Sequence, residues 1–267
     1  MTNFLLRERA PISDAAWAAI DEEARERLLP ALAARKLVDF SGPHGWGYSA
    51  TGLGRVREVA GAGDGLSALQ RKVLPVVELY APFTVSRAEM LDVDRGAQDA
   101  DFDSLDEAAR RIASAENTAV FHGWEAAAIA GIAEASTHEA LALGEDCARY
   151  PHHVARAVRA LLEAGVGGPY GLALGSQAYT HVQQFSEHGG YPLLQHLREI
   201  VGGPLVWSPG VRGAVVLSLR GGDFLFESGE DLAVGYDSHD GQSVRLYLVE
   251  SFTFRAVTAD AAVALTP

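Results

Sequence analysis

The 267-residue chain carries 22 basic and 35 acidic residues, a formal charge of −13 at pH 7, and 48% of it is hydrophobic. That length suits one large or two intertwined units, and the acidic balance disfavours a partner reached through a basic footprint, whether nucleic acid or an anionic membrane. A single cysteine, Cys147, rules out an intrachain disulfide framework and fits a reducing compartment.

The opening run Met1-Thr2-Asn3-Phe4-Leu5-Leu6-Arg7-Glu8 has no basic segment followed by a long apolar one, so it is not read as a signal peptide. The longest membrane candidate, 126–133, is bounded by Glu125 and Glu134. It falls far short of the roughly 20 residues a spanning helix needs. A cytoplasmic protein is expected.

Ser13 is placed to cap a first helix, with Asp14 near its positive end. Trp17, Ile20, Ala24 and Leu28 recur at helical spacing, and Pro30 should kink or break the helix near its end. After a passage rich in Gly, Pro and aromatics at 42–48, residues 46–83 predict two strands. One carries Leu53, Arg55, Val56, Arg57 and Val59; the other carries Val73, Leu74, Val76, Val77, Leu79 and Tyr80. The tip between them, Gly61-Ala62-Gly63-Asp64-Gly65, has a flexible turn composition. A two-stranded arm cannot stabilise itself in water, so it lies on its own domain or on a neighbouring subunit.

Ser104-Leu105-Asp106-Glu107 matches a capping box. Leu105, Ala109, Ile112, Glu116, Ala119 and Val120 follow at helical spacing, and the Ala-rich stretch to Ala135 extends the helix with a break near Gly123. Helices are then predicted at 154–162, 176–185 and 192–200, with a strand at 170–174. The remainder is strand-rich: 214–219, 224–226, 233–236, 244–250 and 252–257, with Val263 and Leu265 closing the last sheet. Helices and strands interleave without a regular βαβ series, which is an α+β pattern.

Chemistry is sparse. The glycines at 61–65 are not followed by the Lys and Ser/Thr of a phosphate-binding loop. Ser238-His239-Asp240 has triad residue types, but adjacent residues point in different directions, and a polar turn is the better reading. Cys147, His152 and His153 lack the paired spacing of a structural zinc site. Arg220-Gly221-Gly222-Asp223-Phe224 reads as a tight turn in which glycine supplies positive φ. Asp92, Asp94, Asp99, Asp101 and Asp103 look like a solvated charged face. No catalytic residue, metal site or cofactor is assigned.

Several ordered segments resemble the encapsulin shell-protein family. They are Arg35-Lys36-Leu37-Val38-Asp39-Phe40-Ser41-Gly42-Pro43-His44-Gly45-Trp46, Pro82-Phe83-Thr84-Val85, Asp92-Val93-Asp94-Arg95-Gly96 and Gly168-Pro169-Tyr170. Near the end come Arg220-Gly221-Gly222-Asp223-Phe224, Asp231-Leu232-Ala233-Val234-Gly235-Tyr236 and Glu250-Ser251-Phe252-Thr253-Phe254. The resemblance implies the α+β fold of tailed-bacteriophage major capsid proteins. Its parts would be an N-terminal helix and the start of a peripheral domain (1–45), an extended loop (46–83), and peripheral domain with the spine helix (84–134). An axial domain (135–212) and the C-terminal strands of the peripheral domain (213–267) would complete it.

It also implies a self-assembling icosahedral shell of roughly sixty copies. The shell would enclose a cargo enzyme, ferritin-like or a dye-decolourising peroxidase, held by the cargo's C-terminal targeting peptide. The peptide site implied by the resemblance is Leu28, Leu32, Arg35 and Asp39 on the helix side, and Asp231, Leu232 and Val234 on the other. The plain alternative is that Leu28 and Leu32 pack on the core while Arg35 pairs with Asp39. Glu187, His188, Gly189 and Gly190 match the family's pore loop, whose alternative is an ordinary surface loop. Some members stack a flavin on a tryptophan; the matching position here is Ala88, so flavin binding is not carried over. A hydrolase or protease-like enzyme would need a dedicated nucleophile and base. A prophage capsid subunit packaging DNA sits badly with the acidic charge.

Overall fold

The computed structural model describes residues 4–61, 63–187 and 190–267. Helix α1 (Asp14–Ala31) starts where Ser13 Oγ accepts the backbone N–H of Ala16 at 3.1 Å, which satisfies one of the first-turn donors. Trp17, Ile20, Ala24 and Leu28 form its buried stripe. Pro30 has no N–H to continue the ladder, and the helix ends one residue later. A single 3₁₀ turn, Ala34–Lys36, leads to β1 (Asp39–Ser41).

Strands β2 (Ala50–Val59) and β3 (Ala68–Pro75) form an antiparallel ribbon, from Ala50↔Pro75 to Val59↔Ala68. Among the described residues neither pairs with any other strand. The second arm strand expected from Val73 to Tyr80 is divided in the structure. Val76 N–H donates to Ser49 O at 2.9 Å and closes the ribbon's base. Beyond it β4 (Val77–Ser86) pairs with the body instead, so the ribbon covers 50–75 and not the whole of 46–83.

After α2 (Arg87–Asp94) comes α3 (Asp103–His122), 20 residues and so about 30 Å long. The capping box does not form. The helix begins at Asp103, and Ser104 Oγ donates to Thr84 O at 2.5 Å, so the adjacent strand takes the hydroxyl that would have capped the turn. Asp101 Oδ1 accepts the Asp103 N–H at 2.9 Å instead. The break at Gly123 is present, with φ +88° and a Glu134 carboxylate that a side chain there would strike, but the expected extension to Ala135 is not: a 3₁₀ turn at Glu125–Ala127 and a separate short helix at Ile132–Ala135 follow.

The rest comprises α4 (Ile132–Ala135), β5 (Leu141–Ala142), α5 (Tyr150–Glu163), β6 (Tyr170–Leu174), α6 (Ser176–Gln184), α7 (Leu193–Val201) and β7 (Leu205–Trp207). Then come β8 (Ala214–Ser218), β9 (Phe224–Ser228), β10 (Ala233–His239), β11 (Ser243–Ala256) and β12 (Ala262–Thr266). Between β8 and β9, Gly221 and Gly222 take φ of +85° and +81° while Arg220 pairs with Asp223 at 2.9 Å, the tight turn expected.

Two strands were expected across 244–257; the structure has one. Ser251 remains in β11 because its backbone N–H donates to Glu230 O at 2.9 Å and its hydroxyl accepts Glu230 N–H at 2.8 Å. The polar pair Glu250-Ser251 therefore does not interrupt the strand.

β11 is the axis of the first sheet. β10 runs along one edge (Ala233↔Val249 to His239↔Val244) and β4 along the other (Ser243↔Ser86 to Phe252↔Val77). β9 continues the first edge beyond β10, opposite β4, with β1 parallel to it. The second sheet has the order β5-β12-β8-β6-β7. Strands β8 and β12, expected among the C-terminal strands of the peripheral domain (213–267), pair there with β6 and β5. One apolar core packs α1 and the first half of α3 on β4, β10 and β11; the other lies around the second sheet. Helix α3 supplies Leu105 and Ile112 to the first and Val120 and Phe121 to the second. No helix among the described residues is long and apolar enough to cross a membrane.

Candidate functional site

The turn after α1 aims Arg35 into the joint between α3 and β11. Its Nε donates to Glu116 Oε2 at 2.7 Å, Nη1 to Asp231 Oδ1 at 2.5 Å, and Nη2 to Glu250 Oε2 at 2.8 Å. Glu116 and Glu250 are 0% and 1% exposed, whereas the Asp231 side chain is 44% exposed. The rings of Phe40 and Phe226 face the guanidinium at 5.2 and 5.3 Å. Burial alone would lower the Arg35 pKa; Glu116, Glu250 and Asp231 overcome this and hold it above the ordinary arginine value. Burial raises both glutamates, with Arg35 opposing it, and Glu250 is pushed well up by burial and then by the charge of Glu116.

The neighbouring Asn117 seats the end of α1. It is fully buried, its Oδ1 accepts the N–H groups of Ala33 and Ala34 at 3.1 and 3.0 Å, and its Nδ2 donates to Ala31 O at 2.8 Å and Pro209 O at 2.9 Å. Neither Asn117 nor the pairing of Glu116 with Glu250 was picked out from the sequence. The one available signal was Glu116 sitting in a row of core-facing positions on α3, where an unpaired charge would be prohibitive.

Of the seven residues named for peptide binding, Leu28, Leu32 and Val234 are buried in the core around α1. Asp39 is exposed, and its Oδ2 accepts the Gly222 N–H at 2.6 Å. The expected alternative pairing of Arg35 with Asp39 is replaced by the three-carboxylate cluster. Asp231 and Leu232 are half-buried, and Phe40 stacks on Phe226 at 5.4 Å with one face outward. What reaches the surface here is thus Phe40, Asp231 and Leu232 around the outer end of Arg35, with Asp39 adjoining.

In the loop between α6 and α7, a bridge pairs Ser186 with Pro192, and Glu187 N–H donates to Tyr191 O at 2.9 Å. Both Glu187 oxygens lie 3.0 Å from His196 Nδ1. Gly190 has φ +82°. His188 and Gly189 lie outside the described residues.

The triad-like run separates as expected. His239 Nδ1 is hydrogen-bonded to Tyr236 Oη at 2.6 Å, Asp240 accepts two backbone N–H groups at 2.8 Å, and Ser238 donates to Asp237. No group of three or more potential metal ligands occurs among the described residues. Two larger hollows remain. One of about 860 Å³ lies along α3 beside Trp124 and Trp207; the other, about 660 Å³, is bordered by His122, His181 and Arg212.

Residues 1–253 match a family described as "Encapsulating protein for peroxidase". The chain is 49% identical to a type 1 encapsulin shell protein of Rhodospirillum rubrum, over 98% of this chain and 96% of that one. It is 44% identical to one from Mycobacterium tuberculosis, over 99% of each. A virus-like particle from Pyrococcus furiosus has a similar fold, with a TM-score of 0.66 and 16% identity over 93% of this chain and 98% of that one. The capsid of an empty GTA particle gives a TM-score of 0.55 at 16% identity, over 90% and 92%. These last two likenesses establish the capsid fold.

Proposed function

The chain belongs to the encapsulin shell-protein family, and from that premise we propose that its copies close edge to edge into an icosahedral container for an enzyme guest. Its family is one of structural shell proteins and not of enzymes. The observation that carries the closed-shell reading is the β2–β3 ribbon, which projects with Val56, Val59, Leu66, Leu69 and Val73 all exposed. So much uncovered apolar surface on two strands calls for a partner, and a second copy is the partner always present. In this reading the ribbon is the extended loop, α3 the spine helix, the second sheet and its helices the axial domain, and the sheet around β11 the peripheral domain. Roughly sixty copies would make the smallest icosahedral shell.

The guest is proposed to be a peroxidase or a ferritin-like enzyme, in the cytoplasm, carrying a C-terminal peptide that lies against Phe40, Asp39, Asp231 and Leu232. Leu28, Leu32 and Val234 would form the floor beneath it, and Arg35 would fix Asp231 as its charged edge. The loop at 186–192 would border a pore, with Glu187 and His188 setting its charge.

Electron microscopy and size exclusion of the purified chain test the container: closed particles are expected, and a stable monomer would overturn it. Leu232→Asp tests the peptide face, because it leaves the buried ion cluster untouched. Intact shells with several-fold less co-purified guest are expected; unchanged loading would reject that face.

A further inference from the structure

The Arg35 cluster has an excess of negative charge that geometry alone makes untenable. One guanidinium meets three carboxylates, two of them fully buried. The carboxyls of Glu116 and Glu250 adjoin one another. Oε1 of each is sealed from solvent and receives no donor from any described residue. An ionised carboxylate only accepts hydrogen bonds. Two of them meeting without a donor, in a place water does not reach, require a proton between them.

Among the described residues, Arg35 is the cation that acts on both carboxyls. The 3₁₀ turn after α1 gives Arg35, and the segment before β10 gives Asp231, with Glu230 beside it. β9 and β1 present the rings of Phe226 and Phe40, and β4 sets Leu79 opposite Glu250. On α3 the next residue is the neutral Asn117, already fully bonded.

We propose that Glu116 and Glu250 share one proton and that this proton locks the joint between the end of α1, helix α3 and strand β11, so that its loss to solvent base as the pH rises loosens the joint. With the proton present, the cluster holds one net negative charge; without it, two. The extra charge repels its neighbour inside the joint and competes for Arg35. Loosening would pass to α1 through Arg35 and through the Asn117 bonds to Ala31, Ala33 and Ala34. This goes beyond the container reading and does not rest on any guest being bound.

The sign follows from linkage. Burial first, then the neighbouring carboxylate, holds Glu250 well above the usual glutamate range. A carboxyl raised in the folded state adds stability that is complete below its unfolded pKa, and this is lost as the pH climbs through the folded value.

The test compares thermal midpoints of the assembled wild-type chain and of Glu250→Gln between about pH 5 and pH 8. Glutamine supplies a permanent N–H donor to Glu116 and has no proton to lose. The variant's midpoint should improve relative to wild type as the pH rises; a difference that stays constant across the range would overturn the lock. If Glu250→Gln does not fold, infrared spectroscopy of the wild type decides. One protonated carboxyl per chain should persist at pH values where exposed carboxylates are ionised, and its absence would equally overturn the proposal.

Discussion

Asn117 shows how one side chain can hold two elements that the sequence separates by more than 80 residues. Its amide uses two acceptor and two donor positions, all on backbone groups, three where Pro30 and the turn after it interrupt α1 and one on Pro209. Asn117→Ala would bury the Ala34 N–H and the Pro209 C=O without partners and leave Ala33 N–H and Ala31 O with only each other, at 2.9 Å. A loss of about 3 kcal/mol is expected, read from urea unfolding of the chain. A change below about 0.5 kcal/mol would mean that water replaces the amide there. Residue-level chemistry of this kind was only half legible. The helical row through Ile112, Glu116 and Val120 placed Glu116 on the inward face, but its partner Arg35 is 81 residues away and Glu250 is 215 from Arg35. Nothing local in the sequence encodes such a meeting. Ser13 was read correctly because its donor, Ala16 N–H, is three residues on; Ser104 was misread because Thr84, from another element, outcompeted the local cap.

At the scale of elements, the periodic segments were legible and their junctions were not. The strand at 170–174 stands as expected because five consecutive buried residues leave no alternative face. β11 was expected as two strands, 244–250 and 252–257, and it is continuous because Ser251 bonds Glu230 through both its backbone and its hydroxyl. The ribbon was recognised as needing support, though where it ended depended on Val76 bonding to Ser49. Its register places Val56 opposite Arg71 and Leu69 opposite Glu58, so these four residues share one face. Val56 and Leu69 are 52% and 61% exposed in the single chain. Replacing both with Asp should therefore change the unfolding free energy of the chain by no more than about 0.5 kcal/mol each. Against a neighbour, burying each is worth about 2 kcal/mol, so the concentration needed for particles should rise at least tenfold per residue. Light scattering across a dilution series measures it. Unchanged assembly would mean that the ribbon's apolar face stays wet in the particle.

For the whole molecule, charge is unevenly divided. The ribbon carries Arg55, Arg57, Arg71 and Lys72 against Glu58 and Asp64, a positive excess within a chain of −13. The remainder is correspondingly more acidic, so copies brought together would experience repulsion between bodies and attraction between ribbon and body. The two differ in range. Body–body repulsion acts across many ångströms and is cut off by salt, since the screening length is about 30 Å at 0.01 M and about 8 Å at 0.15 M. Ribbon–body contacts, partly desolvated at short distance, are screened less. Raising the salt from about 0.01 M to about 0.15 M should therefore lower the protein concentration at which particles form. Reversing Arg55 and Arg57 to Glu should raise that concentration at both salts while leaving the chain folded. Should salt instead hinder the wild type, repulsion between bodies would not be what limits assembly; should the reversed ribbon assemble as readily, attraction between the ribbon and an acidic neighbouring body would not be what brings the copies together.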